Sequence, residues 1–352
     1  MTDHLAARYP RLAARLQRTP LADLPTPVDT KRLPTAAGRR EVSIKHDDLT
    51  AGLYGGNKVR KLEYLLRRAL DRGAQRVATF GTVASNHALA TTLYAGTLGL
   101  PCTCLLSHQT RTPACAVKLG LHLAHGTELV YFGGPRATRV QVMRERVQGR
   151  HAWVIPAGGS NWLGTVGFVN AGLELAEQVN AGAIAVPDRV YVANGTMATA
   201  AGLALGLALA GLAAEVHAVR VTHLSVSNPQ AMRRLIAKTA TLLRRLDPAI
   251  PADLASRVRL CFRDEFFGDG YARPTPAAER AIAIARDELG LQLETTYTGK
   301  ALAALLDDLD KPALATQSVL FWNTFNSRPL GAAGIGPAAR GSLPAEFLRY
   351  FD

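Results

Sequence analysis

Short β-branched runs alternate along the chain with longer stretches whose apolar positions recur at helical spacing. The strand-like runs are VSIKH (42–46), RVATF (76–80), CTCLL (102–106), LVYF (129–132), WVIPA (153–157), RVYVAN (189–194), VHAVRV (216–221) and SVLFWN (318–323). Helical spacing covers 57–72, 86–98, 137–149, 165–180, 199–211, 228–246, 276–289 and 299–309. This alternation predicts an α/β fold of mostly parallel sheets flanked by helices. There is no internal repeat and no low-complexity linker. A chain that leaves one lobe and returns to it would need none, so the pattern predicts a large domain of 1–53 plus 166–352 and a small inserted α/β domain of 54–165.

One helical stretch has an unusual approach. In GGNKVRKLEYLL (55–66), Lys58 follows two glycines and an asparagine at the mouth of an amphipathic helix. A solvated surface lysine needs no such approach, whereas a lysine that must meet a small carbonyl cofactor does.

Composition narrows the function classes. With 48% hydrophobic and 20% charged residues in 352, the chain is globular rather than disordered. The start, MTDHLAARYPRLAARL, is interrupted by an acid and arginines and lacks the apolar core of a secretory signal. The uncharged stretch MATAAGLALGLALAGLAA (197–214) follows directly on a strand and is rich in alanine and glycine, so it reads as a buried helix and not a membrane span. A net charge of +13 suits anionic ligands. The basic residues are scattered and, as in RRLIAKTATLLRR (233–245), fall at helical intervals without interleaved aromatics, which argues against nucleic acid. Four cysteines are too few for a disulfide scaffold. Cys102 and Cys104 share one strand face, and neither they nor His122 and His125 complete a metal-ligand set, so a reduced, cytoplasmic, metal-free protein is expected.

Two strand–turn–helix junctions carry anion chemistry. In FGTVASNHALATTLYAG, Ser85 and Asn86 stand where helix N-caps stand, which reads as capping and also suits a carboxylate at the free N–H groups. In VYVANGTMATAAGL, the small residues Gly195, Thr196, Ala198 and Thr199 let backbone amides approach a phosphate. That turn is neither a Walker motif nor a dinucleotide fingerprint. The glycine-rich GAAGIG (331–336) precedes no helical pattern and reads as a loop. Asp47 and Asp48 point opposite ways on an extended chain and read as structural. Tyr297, just before a helix, serves either the core or proton transfer. A lysine, a phosphate-ready turn and a carboxylate-ready turn are the parts that pyridoxal 5'-phosphate needs.

At these residues the sequence resembles the 1-aminocyclopropane-1-carboxylate deaminase and D-cysteine desulfhydrase group, within the fold-type-II, tryptophan-synthase-β-like pyridoxal phosphate enzymes. GGNKVRKLEYLL and SNHALATTLYAGTLGL carry the resemblance, with LPTPV, IKHDDLTAG, PAGGSNWLGTVGF, GDGYARPT and YTGKAL in order along the chain. The resemblance implies that Lys58 carries the cofactor and that Asn86 binds its phenolic oxygen. Gly195, Thr196, Met197, Ala198 and Thr199 would ring its phosphate, and Thr298 would meet its pyridine nitrogen. Ser85 and His87 would face the substrate, and Tyr271 and Tyr297 match two active-site tyrosines. Asn323, Phe325 and Asn326 fall where relatives carry a His-Thr-Gly-Gly run. Met197 and Ala198 enter a loop that relatives keep richer in glycine, and Ala88–Ala90 replace polar residues. Both departures bear on the substrate pocket.

Relatives that open cyclopropanes resemble one another in placing a glutamate where this chain has Thr298. A neutral hydroxyl implies a weaker electron sink, adequate for expelling a thiol. The expected activity is therefore lyase chemistry like that of D-cysteine desulfhydrase, with Lys58, Ser85, Tyr271 and Tyr297 catalytic and a homodimer implied. The deaminase reaction, β-replacement, racemisation and non-catalytic ligand binding are the alternatives.

Overall fold

The computed structural model describes residues 3–36, 38–330 and 340–351. The stretch 331–336, expected as a loop, lies outside them. The chain divides into two compact units, one of 1–17, 22–64 and 160–328, the other of 18–21, 65–159 and 329–352.

The larger unit is built on a six-stranded sheet in the order β1-β2-β10-β7-β8-β9. Its strands are β1 (Val28–Thr35), β2 (Gly38–His46), β7 (Arg189–Asn194), β8 (Glu215–Arg220), β9 (Leu260–Arg263) and β10 (Val319–Asn323). Only β1 and β2 pair antiparallel; every other pairing is parallel. The central strands β7 and β10 are buried almost throughout, which is why they read as unbroken apolar runs. The sheet is covered by α3 (Lys58–Asp71, to Tyr64), α7 (Trp162–Asn180), α8 (Ala198–Ala210), α9 (Pro229–Leu246), α10 (Pro276–Ile284) and α11 (Thr298–Leu309). Two short helices, α1 (His4–Arg8) and α2 (Pro10–Arg15), precede β1. α8 is the expected buried helix, apolar on all sides and packed on α7. Among the described residues no helix is long and apolar enough to cross a membrane.

The smaller unit carries an all-parallel sheet in the order β5-β4-β3-β6, from β3 (Val77–Thr82), β4 (Cys102–Ser107), β5 (Glu128–Tyr131) and β6 (Trp153–Ile155). Its helices are α4 (Asn86–Thr97), α5 (Pro113–Ala124) and α6 (Arg136–Val142). Cys102 and Cys104 lie side by side and buried, with sulfurs 3.8 Å apart.

The division between the units differs from the expected one, and two of the differences have visible reasons. Residues 54–64 stay with the larger unit because Arg60 on α3 bonds Asp47 and Glu174, and Asn57 bonds Thr199. Residues 340–351 belong to the smaller unit, where the Tyr350 hydroxyl accepts the Gln109 N–H and lies 3.1 Å from His108 Nδ1.

Candidate active site

Lys58 opens α3 on a backbone that only glycine permits. A Cβ on Gly55 would strike the Asp48 carbonyl. Gly56 has φ +92, and a Cβ there would lie 2.8 Å from the Thr324 carbonyl oxygen. The segment behind the glycines is WNTFNSRP (322–329). Asn57 N–H donates to Thr324 O at 3.1 Å and Gly55 N–H to Asn326 Oδ1 at 2.6 Å, so WNTFNSRP forms the floor under the lysine's approach. Asn323 is buried within it; its Oδ1 accepts from Phe325 N–H at 3.3 Å and its Nδ2 has no acceptor among the described residues.

Lys58 Nζ donates to Asn57 Oδ1 at 2.6 Å, and Asn57 Nδ2 donates to Thr199 Oγ1 at 2.9 Å. One side chain therefore ties the lysine to the Gly195–Thr199 turn. That turn has the form of an anion cradle. It ends in Met197 at φ +73, no side chain caps α8, and the N–H groups of Gly195, Thr196 and Met197 find no acceptor among the described residues. Unbonded N–H groups at a helix start suit a phosphate. Ser160 Oγ donates to Thr196 Oγ1 at 2.6 Å. A Cβ on Gly195 would stand 3.2 Å from Tyr297, so the ring already fills the space beside the turn. These features fit pyridoxal phosphate: an amine, a row of free amides, and small residues between them.

Tyr297 and Tyr271 meet hydroxyl to hydroxyl at 2.5 Å with their rings edge to face. Burial pushes the Tyr297 phenol well above its ordinary range, and the neighbouring Tyr271 adds to the shift. Glu294 holds the next residues: its Oε2 accepts from Thr296 N–H, and its Oε1 from the N–H groups of Tyr297 and Thr298 at 2.8 and 2.9 Å. Thr298 Oγ1 lies 3.3 Å from the same carboxylate, so the neutral hydroxyl is backed by the side chain of Glu294, four residues earlier.

In the smaller unit Ser85 caps α4, accepting from Ala88 N–H at 3.2 Å and keeping its own proton to donate. Lys118, on α5, donates to Ala84 O at 2.9 Å and to Asn86 Oδ1. Because lysine only donates, it fixes which end of the Asn86 amide is the oxygen. His87 points inward: its Nε2 lies 3.1 Å from Thr79 Oγ1, and that hydroxyl donates to Ile155 O.

The sequence motifs thus assemble into two clusters, one in each unit. Lys58, Gly195–Thr199, Tyr271, Tyr297, Thr298, Asn323 and Phe325 belong to the larger unit; Ser85, Asn86 and His87 belong to the smaller. Sequence reasoning missed Asn57, Lys118, Ser160 and Glu294. Asn57 and Ser160 sat inside motifs already singled out, but Lys118 has no signal along the chain because its partners are 32 and 34 residues away.

Elsewhere, Glu215, His217 and Cys261 bring three possible metal ligands within 4.8 Å of one another. Arg263 donates to His217 Nδ1 at 3.1 Å, which leaves the ring proton on Nε2, 3.0 Å from Glu215 Oε2. Burial, with Arg189 nearby, lowers this imidazole to about 4. A neutral ring in that tautomer offers a cation no lone pair, so the group reads as the end of the Asp308–Arg263 ion-pair network.

Comparison with known proteins supplies the family. The model of the family described as pyridoxal-phosphate dependent enzyme matches residues 16–324. The chain belongs to that family. It is 34% identical over 324 residues to a D-cysteine desulfhydrase from Salmonella schwarzengrund, covering 88% of this chain and 91% of the relative. The desulfhydrase from Salmonella enteritidis matches to the same extent. Among solved structures, an ACC deaminase homologue superposes with a TM-score of 0.74 at 29% identity, covering 97% of this chain and all of its own. Maize serine racemase shares the fold at a TM-score of 0.57 and 16% identity, with 99% and 98% of the two chains covered. The protein is a pyridoxal-phosphate-dependent enzyme of the fold-type-II architecture.

Proposed function

We propose that this enzyme is a lyase of the D-cysteine desulfhydrase type, converting D-cysteine and water to pyruvate, ammonia and hydrogen sulfide. The observation that carries the reading is the Lys58–Asn57–Thr199 chain, which links the lysine behind Gly55 and Gly56 to the anion-ready turn. The 34% identity to D-cysteine desulfhydrases over most of both chains supports the substrate.

Bound pyridoxal phosphate would supply an electron sink for the carbanion formed at the substrate's α carbon. Lys58 would hold the cofactor's aldehyde carbon, and its amine would serve as the general base for the substrate's α proton. The N–H groups of Gly195, Thr196 and Met197, with the hydroxyls of Thr196 and Thr199, would hold the phosphate. Asn86, its oxygen bonded by Lys118, would hydrogen-bond the phenolic oxygen, and Thr298 would meet the pyridine nitrogen. Ser85 can donate its hydroxyl proton to the substrate carboxylate, and His87 and Phe325 would bound the substrate. Asn323 Nδ2, buried without an acceptor, is a second donor for it. The Tyr271–Tyr297 pair would pass a proton to the departing thiolate. Burial keeps Tyr297 protonated at neutral pH, so its hydroxyl can serve as the proton donor of that pair.

A cytoplasmic homodimer belongs to the same reading, and sedimentation of the purified enzyme tests the assembly. Lys58→Ala is expected to abolish turnover and the visible band of the lysine-bound cofactor while leaving the circular dichroism spectrum unchanged. Turnover retained in that variant would sink the scheme.

A further inference from the structure

Buried cations in the larger unit are mostly paired. Lys45 meets Glu174 at 2.6 Å, Arg60 meets Asp47 and Glu174 at 2.7 and 2.9 Å, and Arg263 meets Asp308 at 2.7 Å. Arg220 and Lys300 depart from that pattern. They are 8% and 0% exposed, and neither lies within ion-pair distance of a carboxylate among the described residues. Arg220 donates to the carbonyls of Thr222 at 2.7 Å and Asp264 at 3.4 Å, and its Nε–H is buried without an acceptor. Lys300 Nζ donates to Phe267 O at 2.6 Å. Both cations also face one ring, the guanidinium carbon 4.4 Å and the ammonium 5.3 Å from the Phe267 centroid.

Carbonyl dipoles and a ring face do not neutralise two full charges taken out of water. Burial pushes the Lys300 amine down; Glu294 and, more weakly, Asp269 draw it back from beyond ion-pair distance, and Arg220 pushes it down, leaving it lowered on balance. The location is suggestive of a ligand. Arg220 is the last residue of β8, and Thr222, just past it, donates to Gly195 O at 2.8 Å at the end of β7. The carboxyl ends of parallel strands are where ligands bind in open α/β sheets.

We propose that Arg220 and Lys300, roofed by the half-buried Phe267, form a binding site for an oxyanion, a phosphate or carboxylate group, at the carboxyl ends of β7 and β8. Such a group would supply the missing negative charge and accept the idle N–H donors. It is either the phosphate of the cofactor held by the neighbouring Gly195–Thr199 turn, which rests on the functional reading above, or a free anion beside it.

The test uses the cofactor-loaded enzyme and compares wild type with Arg220→Gln, Lys300→Met and the charge-preserving Lys300→Arg. Two quantities are measured: affinities for pyridoxal phosphate and for phosphate-free pyridoxal, and the melting temperature as inorganic phosphate is added. Loss of tenfold or more in pyridoxal phosphate affinity, with pyridoxal unaffected, identifies the cofactor's phosphate as the oxyanion. Unchanged cofactor affinity, with a phosphate-induced rise in melting temperature present in wild type and Lys300→Arg but lost in the other two, identifies a free oxyanion. An unchanged affinity ratio together with no variant-sensitive phosphate response overturns the site. If the protein takes up neither pyridoxal compound, the cofactor reading fails, and the phosphate melts alone decide this one.

Discussion

Two buried groups of charge in the larger unit handle the same physical problem in opposite ways. In the first, Lys45, Arg60, Asp47 and Glu174 close on one another: Arg60 reaches both carboxylates, Lys45 reaches Glu174, and the Thr26 hydroxyl and carbonyl fill remaining positions. In the second, Arg220 and Lys300 meet only carbonyls and a ring among the described residues. The closed group joins β2, α3 and α7 and so fixes the base of the helix that Lys58 opens. Every nitrogen and oxygen of its charged groups has a partner within the chain. The open group lies at the strand ends, beside the turn suited to a phosphate. Complete pairing marks scaffold here, and incomplete pairing marks a place where something binds.

The largest expected effect comes from breaking the closed group. Glu174→Ala leaves Arg60 and Lys45 buried with half their compensation and is expected to cost about 3–5 kcal/mol in denaturant unfolding. A loss below about 1 kcal/mol would mean that the group is not the closed network its distances describe. The open group should respond with the opposite sign. In the ligand-free protein Lys300→Met removes an uncompensated buried charge and is expected to leave stability unchanged or raise it by about 1 kcal/mol. A clear loss there would show that Lys300 is already compensated within the chain.

The smallest effect comes from a third solution, in which charge is avoided. Burial lowers His122 to about 3, with Lys118 adding to the shift, and His217 to about 4. Both stay neutral in the folded state, while the unfolded chain takes up protons near pH 6.5. Unfolding then binds protons, so stability falls as pH drops from about 6.5 towards 4 and is unaffected by these groups above 7. Glu174 behaves differently. Burial raises its carboxyl, but Arg60 and Lys45 outweigh that and hold it below the ordinary range. Its contribution is present above about pH 4.3 and is lost as pH falls below that value. Melting curves between pH 7 and 4.5 should therefore show a gradual decline that His217→Gln reduces; an unchanged slope would exclude His217 as a source.

Most of the fold was legible because the buried strands are apolar and the helices amphipathic. The two strands that sequence reading missed, β1 and β9, are the two edges of the six-stranded sheet. β1 (VDTKRLPT) carries charges and a proline because one side faces no neighbour, and β9 is only four residues long, so neither shows a clean pattern. α5 begins with a proline and places a lysine on its buried face, which weakens its apolar stripe. The same division holds for the site. Lys58, Ser85, Asn86 and the Gly195–Thr199 turn announce themselves through local chemistry, since glycines, caps and small residues have local causes. Lys118, Arg220 and Lys300 do not, because a buried lysine or arginine is spelled like an exposed one until tertiary structure encloses it.

The most direct measurement of the central claim is the visible spectrum of purified protein supplied with pyridoxal phosphate, followed during addition of D-cysteine while pyruvate and sulfide are assayed. The account predicts a band from the Lys58-bound cofactor that shifts on addition, with pyruvate and sulfide formed in equal amounts. A band that does not respond to D-cysteine, with neither product formed, would contradict the proposed reaction.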